Sequence, residues 1–478
     1  MTRTGWIDIL PLIVLAATPV AVMLAVAVRR NYLVSTTITF VGLVAAFVML
    51  PVVSAQGDRR ATPLILMDNF ALFYMGLLFA AALALVLLSY RYLRDHPGNR
   101  DEYWILLLLA TLGSAVLVAS VHFASLFLGL EILSISLYAL IGYNRMSAIG
   151  VEAAIKYLVL AAASTAFLLF GMALVYGEIG SMEFAQIAAT RGALDDTRRL
   201  FFLSGLGLMT VGIGYKLAVV PFHMWAPDVY QGAPAPVTNL IATVSKAGMF
   251  AVLLRFFTQL NFRTDDSLFW IFSVVAISSM FIGNLLALLQ DNIKRILAYS
   301  SIAHFGYLLV AFVAAGDLAV TAVTFYLIAY FVATTGAFGV ITVLSGPDRD
   351  ADRIDDYRGL FWTRPLLASV LTGMLLSLAG IPLTGGFIGK FYLVLAGAQT
   401  SLWALIIILV ATSVIGLFYY LRIIVAMYLR PSEEVREVST PSIASPTEGF
   451  VLLTASVLAV WLGIYPAALF HIIPSAIR

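Results

Sequence analysis

The chain has 478 residues, of which 62% are hydrophobic and 11% charged, with a net charge of +2 and a mean hydropathy of +0.98. A soluble domain needs about 25% charged residues to cover a water-facing surface, so this composition excludes one and leaves a polytopic membrane protein. Near-neutral charge argues against nucleic acid as a partner, and the absence of cysteine removes disulfides, thiolate metal sites and iron-sulfur ligation.

A helix crossing about 30 Å of hydrocarbon needs about 20 apolar residues. On that ruler the sequence predicts an all-α protein of about 14 spans. The opening MTRTGWIDILPLIVL runs straight into a spanning length and reads as a first helix that is kept, near Trp6 to Val28, rather than a cleaved leader. Spans 2 and 3 are expected at Tyr32 to Val53 and Asn69 to Tyr90. Beyond the polar RYLRDHPGNRDE come span 4, Tyr103 to Val121, and span 5, Ser125 to Tyr143, divided by a tight turn at His122. Span 6 covers Glu152 to Tyr176, span 7 Phe201 to Val220, span 8 Pro236 to Phe257, span 9 Leu268 to Leu288 and span 10 Ile296 to Ala314. Leu318 to Leu344 is span 11. The charged connector SGPDRDADRIDDYRG leads to span 12, Pro365 to Ala398, interrupted by GIPLTGG, and spans 13 and 14 are expected at Leu402 to Tyr428 and Phe450 to Phe470.

Spans 7 and 12 are broken in comparable places, at Pro221 and at Pro382 with Gly385 and Gly386. Each is fourth in a group of five, spans 4 to 8 and spans 9 to 13. Five is odd, so the second group enters the membrane inverted relative to the first. Interrupted helices in inverted repeats point to a transport site. The expected organisation is a three-helix segment over 1–100, a first repeat over 101–260, an inverted repeat over 261–430, and a loop with span 14 over 431–478. Short loops carry roughly 14 basic residues on one side against roughly 8 on the other, which places both termini away from the cytoplasm.

Only five of the 28 basic residues are lysine, and Lys156, Lys216, Lys246 and Lys390 fall within apolar segments. Loops use arginine. This division suits buried cations that must give up a proton, which lysine can do and arginine cannot. A lysine near the bilayer centre costs about 2.5 to 3.5 kcal/mol on insertion scales, so three cost on the order of 10 kcal/mol. Lys246 lies about ten residues, or about 15 Å, from either end of span 8 and cannot snorkel out. Lys216 precedes Pro221, whose missing N–H would free the carbonyl of Leu217 for water. Lys390 follows the second break in the same manner. Glu131 is the sole deep carboxylate of the first group, and Lys216 is its expected partner; the alternative is a protonated Glu131 bonded to Ser134 or Tyr138. Lys156, one turn inside span 6 with Glu152 four residues earlier, reads either as a relay residue or as a snorkelling lysine in a local ion pair. His304, midway along span 10 beside Tyr299, Ser300 and Ser301, reads either as a proton carrier or as a structural histidine. His122 and His223 lie at helix ends, and Lys294 and Arg295 read as loop-edge cations.

The segments GLEILSISLYALIGYNR, GYKLAVVPFHMWAPDVYQGAPAPVT, SKAG, KRILAYSSIAHFGY and GIPLTGGFIGKFYL carry a resemblance that covers essentially the whole chain. With them the sequence resembles the antiporter-like membrane subunits of proton-pumping NADH:quinone oxidoreductase, respiratory complex I, and among these the subunit N family, for which PFHMWAPDVYQGAPAPVT is specific. Large subunits of multisubunit cation/proton antiporters are similar too. The resemblance implies a fold of 14 helices with inverted five-helix repeats and a mid-membrane row of polar residues. Glu131 and Lys216 match the family's coupling pair, Lys246 its central lysine, and Lys390 the lysine facing the next subunit. It further implies a proton-translocating subunit without redox chemistry or cofactor of its own, with NADH, FMN, iron-sulfur clusters and quinone belonging to other subunits. Implied partners are other membrane-arm subunits, namely a sister antiporter-like subunit and small membrane subunits, within a bacterial inner membrane. The alternative is a subunit of a sodium/proton antiporter. A haem-bearing electron carrier needs facing intramembrane histidine pairs, and only His304 lies mid-helix.

Overall fold

The computed structural model describes residues 3–57, 59–96, 98, 100–260, 266–347, 349–430 and 444–477. Among them, thirteen helices are long and apolar enough to cross a membrane. Span 1 is Leu10–Val28, preceded by a short helix at Arg3–Asp8, and spans 2 to 6 are Tyr32–Ser54, Asn69–Asp95, Asp101–Ala119, Phe123–Ile141 and Ala148–Ile179. Span 7 is Asp196–Leu217, followed by a short helix at Trp225–Gly232; span 8 is Ala235–Gln259. Spans 9 to 11 are Asp266–Leu288, Ile293–Ala314 and Asp317–Leu344. Span 12 comes in two halves, Pro365–Ala379 and Gly385–Gln399, and spans 13 and 14 are Trp403–Tyr428 and Pro446–Ile464. The chain is a multi-pass membrane protein. The boundary expected between the two five-helix groups falls beside 261–265, and the start of the last segment at 431–443, both outside the described residues.

Helix starts are set by short polar side chains that accept from the otherwise free N–H groups of the first turn. Asn31, Asp68, Ser147, Asp195, Asn292 and Thr384 all cap in this way, and Ser445 does so within a reciprocal box with Glu448. His122 caps span 5 through Nδ1, which accepts from the Ala124 amide, so it is structural. An antiparallel pairing of Arg59–Arg60 with Leu66–Met67 closes the connector before span 3.

Spans 8 and 10 are buried along their whole apolar length, whereas only a third of that length is buried in spans 1, 2 and 14. The two most buried helices thus carry Lys246 and His304. Around them, span 6 packs on span 7, span 9 on span 10, and span 11 on both halves of span 12. The contact of spans 6 and 7 is close enough that a Cβ on Gly171 would stand 2.5 Å from the Gly205 carbonyl oxygen.

Three features depart from the sequence reading. Span 7 ends at Leu217, because Ala218 takes a left-handed conformation (φ 58°), so the break precedes Pro221 and does not arise from a proline inside a helix. The Val220–Pro221 peptide is cis. Span 8 contains a π-helical turn over Ile241–Ser245, immediately before Lys246. Such turns displace the ladder by one residue and occur at functional sites.

Near the C-terminal end of span 8, Arg255 makes a bidentate ion pair with the carboxylate of Asp68, at 2.7 and 2.9 Å. Both side chains are largely buried, and the guanidinium lies 4.6 Å from the ring centroid of Phe70. This pair fastens span 8 to the start of span 3. Asp68→Ala should leave the arginine unpaired and destabilise the fold by about 3 to 5 kcal/mol. Thermal unfolding in detergent checks this, and adding Arg255→Met to Asp68→Ala should restore most of the loss.

Candidate proton-conducting site

Of the four lysines expected within apolar segments, three are buried in the protein: Lys216 is 3% exposed, Lys246 0% and Lys390 9%. None of them forms an ion pair among the described residues. Each instead donates to a serine hydroxyl, Lys216 to Ser134 at 2.7 Å, Lys246 to Ser301 at 2.6 Å and Lys390 to Ser413 at 2.7 Å. Aromatic rings complete each cage: Tyr157 and Tyr215 for Lys216, Phe305 and Tyr230 for Lys246, Tyr307 for Lys390, all within 6 Å of Nζ. A serine hydroxyl accepts from an ammonium and can donate to a neutral amine, so it tolerates either protonation state. A carboxylate would favour the charged one.

The helix breaks supply the remaining partners. The first half of span 12 ends at Ala379 with Gly380 left-handed (φ 84°), leaving its last carbonyls without helical donors. Lys390, on the second half, donates to two of them, Leu378 O at 3.1 Å and Ala379 O at 2.8 Å. A helix C-terminus is the electrostatically favourable place for a cation. Pro382 and Leu383 lie in the turn, and Gly385 and Gly386 open the second half. A Cβ on Gly386 would fall 1.8 Å from Ser377 O, a distance no side chain permits. At the first break, Lys216 sits on the last turn of span 7 itself, and the Tyr215 carbonyl accepts from the Trp225 indole at 2.8 Å. His223 is buried in the turn after Pro221 with neither ring nitrogen bonded to protein.

Between Lys246 and Lys390, span 10 carries hydroxyls and one imidazole. Ser301, which accepts from Lys246, also accepts from Tyr330 at 2.8 Å. One turn on, His304 contacts the Tyr326 hydroxyl through Nδ1 at 2.5 Å and the Tyr420 hydroxyl through Nε2 at 3.1 Å; Tyr420 also bonds Ser300. Tyr307, a further turn on, accepts from Asn284 at 2.9 Å and presents its ring to Lys390. The sequence marked His304 but not its tyrosines, which come from spans 11 and 13 and converge only in the fold.

The expected ion pair between Glu131 and Lys216 is not formed. Ser134 faces the lysine, while Glu131, three residues earlier, lies on a half-exposed flank of span 5 and accepts from Thr165 at 3.2 Å. Lys156 belongs to the surface: its side chain is 45% exposed and is paired with Glu152 at 2.6 Å and Asp228 at 2.9 Å, the latter shared with Arg295. Lys294 is no loop-edge cation. It is 1% exposed and donates to Asp350 Oδ2 at 2.6 Å and Ala233 O at 2.7 Å, tying the 345–359 connector to the link between the broken segment and span 8. Among the described residues, no group of three or more His, Asp or Glu side chains is placed to hold a metal ion.

A family model described as NADH:quinone oxidoreductase/Mrp antiporter, transmembrane, matches residues 120–416, from the end of span 4 to span 13. NADH-quinone oxidoreductase subunit N of Ectopseudomonas mendocina (strain ymp) is 46% identical over 482 residues, covering 99% of this chain and 97% of that protein. The chain therefore belongs to the antiporter-like membrane subunit family, in its NADH-quinone oxidoreductase subunit N branch. Among solved structures, a chain of respiratory complex I from Thermus thermophilus with bound aureothin superposes with a TM-score of 0.82 at 33% identity, over 96% of this chain and 97% of that one. A chain of the archaeal membrane-bound sulfane sulfur reductase follows at 0.82 and 25% identity, covering 99% of this chain and 97% of that one. A chain of the Mrp complex from Dietzia sp. DQ12-45-1b shares the fold, with a TM-score of 0.85 at 22% identity over 100% and 97% of the two chains.

Gly386→Ala should displace the Ser377 carbonyl and with it the end of the half-helix that holds Lys390, costing about 1 to 3 kcal/mol or more. Gly373→Ala, where an added Cβ meets nothing within 4 Å, should be neutral. Thermal stability of the two variants in detergent separates them.

Proposed function

We propose that the chain is a proton-translocating, non-redox membrane-arm subunit of an NADH:quinone oxidoreductase, in which Lys216, Lys246, His304 and Lys390 relay protons in response to quinone reduction elsewhere in the complex. The observation that carries this reading is the common environment of the three lysines. Each is buried, hydroxyl-bonded and without an ion-pair partner among the described residues, the arrangement for an amine that must both hold and release a proton. Glu131 acts on Lys216 through space, from one helical turn away on span 5. Lys156 serves as an interfacial anchor that exchanges with Asp228.

Spans 4 to 8 and 9 to 13 are read as inverted repeats, each with a lysine at its break, and segments 1–100 and 431–478 flank them. The neighbours are a sister antiporter-like subunit and small membrane subunits, which hold the lateral faces that this chain leaves apolar; NADH, FMN, iron-sulfur clusters and quinone belong to other subunits. The location is a bacterial inner membrane with both termini on the non-cytoplasmic side, in line with the basic residues of the connectors. The 46% identity with a subunit of NADH-quinone oxidoreductase favours this assembly over a free-standing sodium/proton antiporter, for which only the fold speaks.

Moving one proton against about 150 mV requires roughly 3.5 kcal/mol, at about 2.3 kcal/mol per charge for each 100 mV. A lysine can supply a switch of that size because its protonation answers to solvation and to nearby charge, whereas arginine stays charged. Lys246→Arg should therefore retain the charge and the assembly while abolishing relay through this subunit. Proton flux per NADH in proteoliposomes checks it. Wild-type flux would make Lys246 a fixed charge and would transfer the relay to another group.

A further inference from the structure

Span 9 carries one amide side chain, Asn284, and it is fully buried. Two glycines make its place. A Cβ on Gly283 would stand 2.7 Å from the Ala303 amide nitrogen of span 10, and one on Gly416 of span 13 would stand 2.9 Å from the Asn284 oxygen, so both neighbours come close where a side chain is missing. Asn284 spends three of its four hydrogen-bonding positions on protein: Nδ2 donates to Met280 O at 2.7 Å and to the Tyr307 hydroxyl at 2.9 Å, and Oδ1 accepts from the Tyr419 hydroxyl at 3.0 Å. A carbonyl oxygen only accepts, so Met280 fixes which end of the amide carries the nitrogen and with it the direction of the other two bonds.

The two spans that Asn284 bonds are those that supply Lys390 with partners from outside span 12. Tyr307 of span 10 turns its ring to the amine, with Nζ 5.1 Å from the ring centroid, and Ser413 of span 13, about two helical turns before Tyr419, accepts from it at 2.7 Å. A tyrosine ring moves by two torsions, and a bond to the hydroxyl at its far end fixes both. We infer that Asn284 is a positioning residue for Lys390: it does not touch the amine, but by holding the Tyr307 hydroxyl it aims the ring whose electron-rich face stabilises the ammonium. Its bond to Tyr419 keeps span 13, and Ser413 on it, in register with that ring. Polar side chains between membrane helices also act as plain interhelical fasteners. What sets Asn284 apart from a fastener is that the ring it holds faces a buried amine.

This inference rests on the proposed relay through Lys390, and the test separates the two. NADH-driven proton translocation is measured in the reconstituted complex, and the full chain with 15N-labelled lysine side chains is observed by solid-state NMR in lipid bilayers. The ring current of Tyr307 shifts the Lys390 amine signal, so Tyr307→Leu gives its position without a ring. Asn284→Leu, near-isosteric and without polar atoms, should move the Lys390 signal toward that position, leave those of Lys216 and Lys246 in place, and slow translocation by about tenfold. Asn284→Leu combined with Tyr307→Leu should translocate no more slowly than Tyr307→Leu alone, because one residue acts through the other. An unmoved Lys390 signal or wild-type translocation in Asn284→Leu, or losses that add in the double variant, would leave Asn284 a fastener and overturn the inference while the relay stands. Wild-type translocation in Lys390→Ala would overturn the relay and the inference together. Should Asn284→Leu fail to assemble, Gly416→Ala, whose Cβ crowds the amide without removing it, carries the same comparison with Tyr307→Leu.

Discussion

The structure is organised around the pairing of a buried amine with a hydroxyl. An ammonium taken out of water needs compensation, and the usual compensation is a carboxylate, which also fixes the charge. At Lys216, Lys246 and Lys390 the fold supplies serine oxygens, aromatic faces and, for Lys390, two helix-end carbonyls. These partners are dipoles or quadrupoles that stabilise a cation without a full countercharge. In the proposed relay, the energetic difference between the charged and neutral amine is thereby small enough for a membrane potential or a moving charge nearby to tip it. Elsewhere the protein uses the other design, as in the bidentate pair of Arg255 with Asp68 and the ion pair of Lys294 with Asp350.

The broken helices serve the same end. A continuous helix satisfies all its carbonyls and offers nothing to a side chain in the membrane interior; a helix that stops halfway exposes its last turn there. Span 12 stops at Ala379 and its last two carbonyls go to Lys390. Span 7 stops at Leu217, so that Lys216 rides on its final turn and the Tyr215 carbonyl is taken by Trp225. The two breaks thus do related work with the lysine on opposite sides of the gap. Packing confines them, since Gly386 lies so close to Ser377 that only a residue without Cβ fits.

Much of this was legible in the sequence because charge is conspicuous against an apolar background. Lys216, Lys246, Lys390 and His304 stood out by depth alone, and the GIPLTGG interruption announced the second break. Pro221 announced the first, although the chain turns three residues earlier, where an alanine takes a left-handed conformation that residue type does not advertise. Partners were far less legible. Glu131 is the obvious carboxylate for Lys216, yet the lysine meets Ser134, one helical turn further along, while Thr165 donates to Glu131. Lys294 looked like a loop cation because its countercharge, Asp350, lies more than fifty residues away in a connector that folds back over it. The π-helical turn before Lys246 has no signature in composition or periodicity.

With only five lysines in the chain, side-chain 15N labelling of lysine gives a spectrum in which every amine can be assigned. Solid-state NMR of the labelled chain in lipid bilayers distinguishes ammonium from neutral amine at each. If hydroxyl-bonded lysines are the exchangeable sites, Lys216, Lys246 and Lys390 change between the two forms as the pH is varied across the working range of the complex. Ammonium signals of Lys216, Lys246 and Lys390 that never change would contradict the account at its centre.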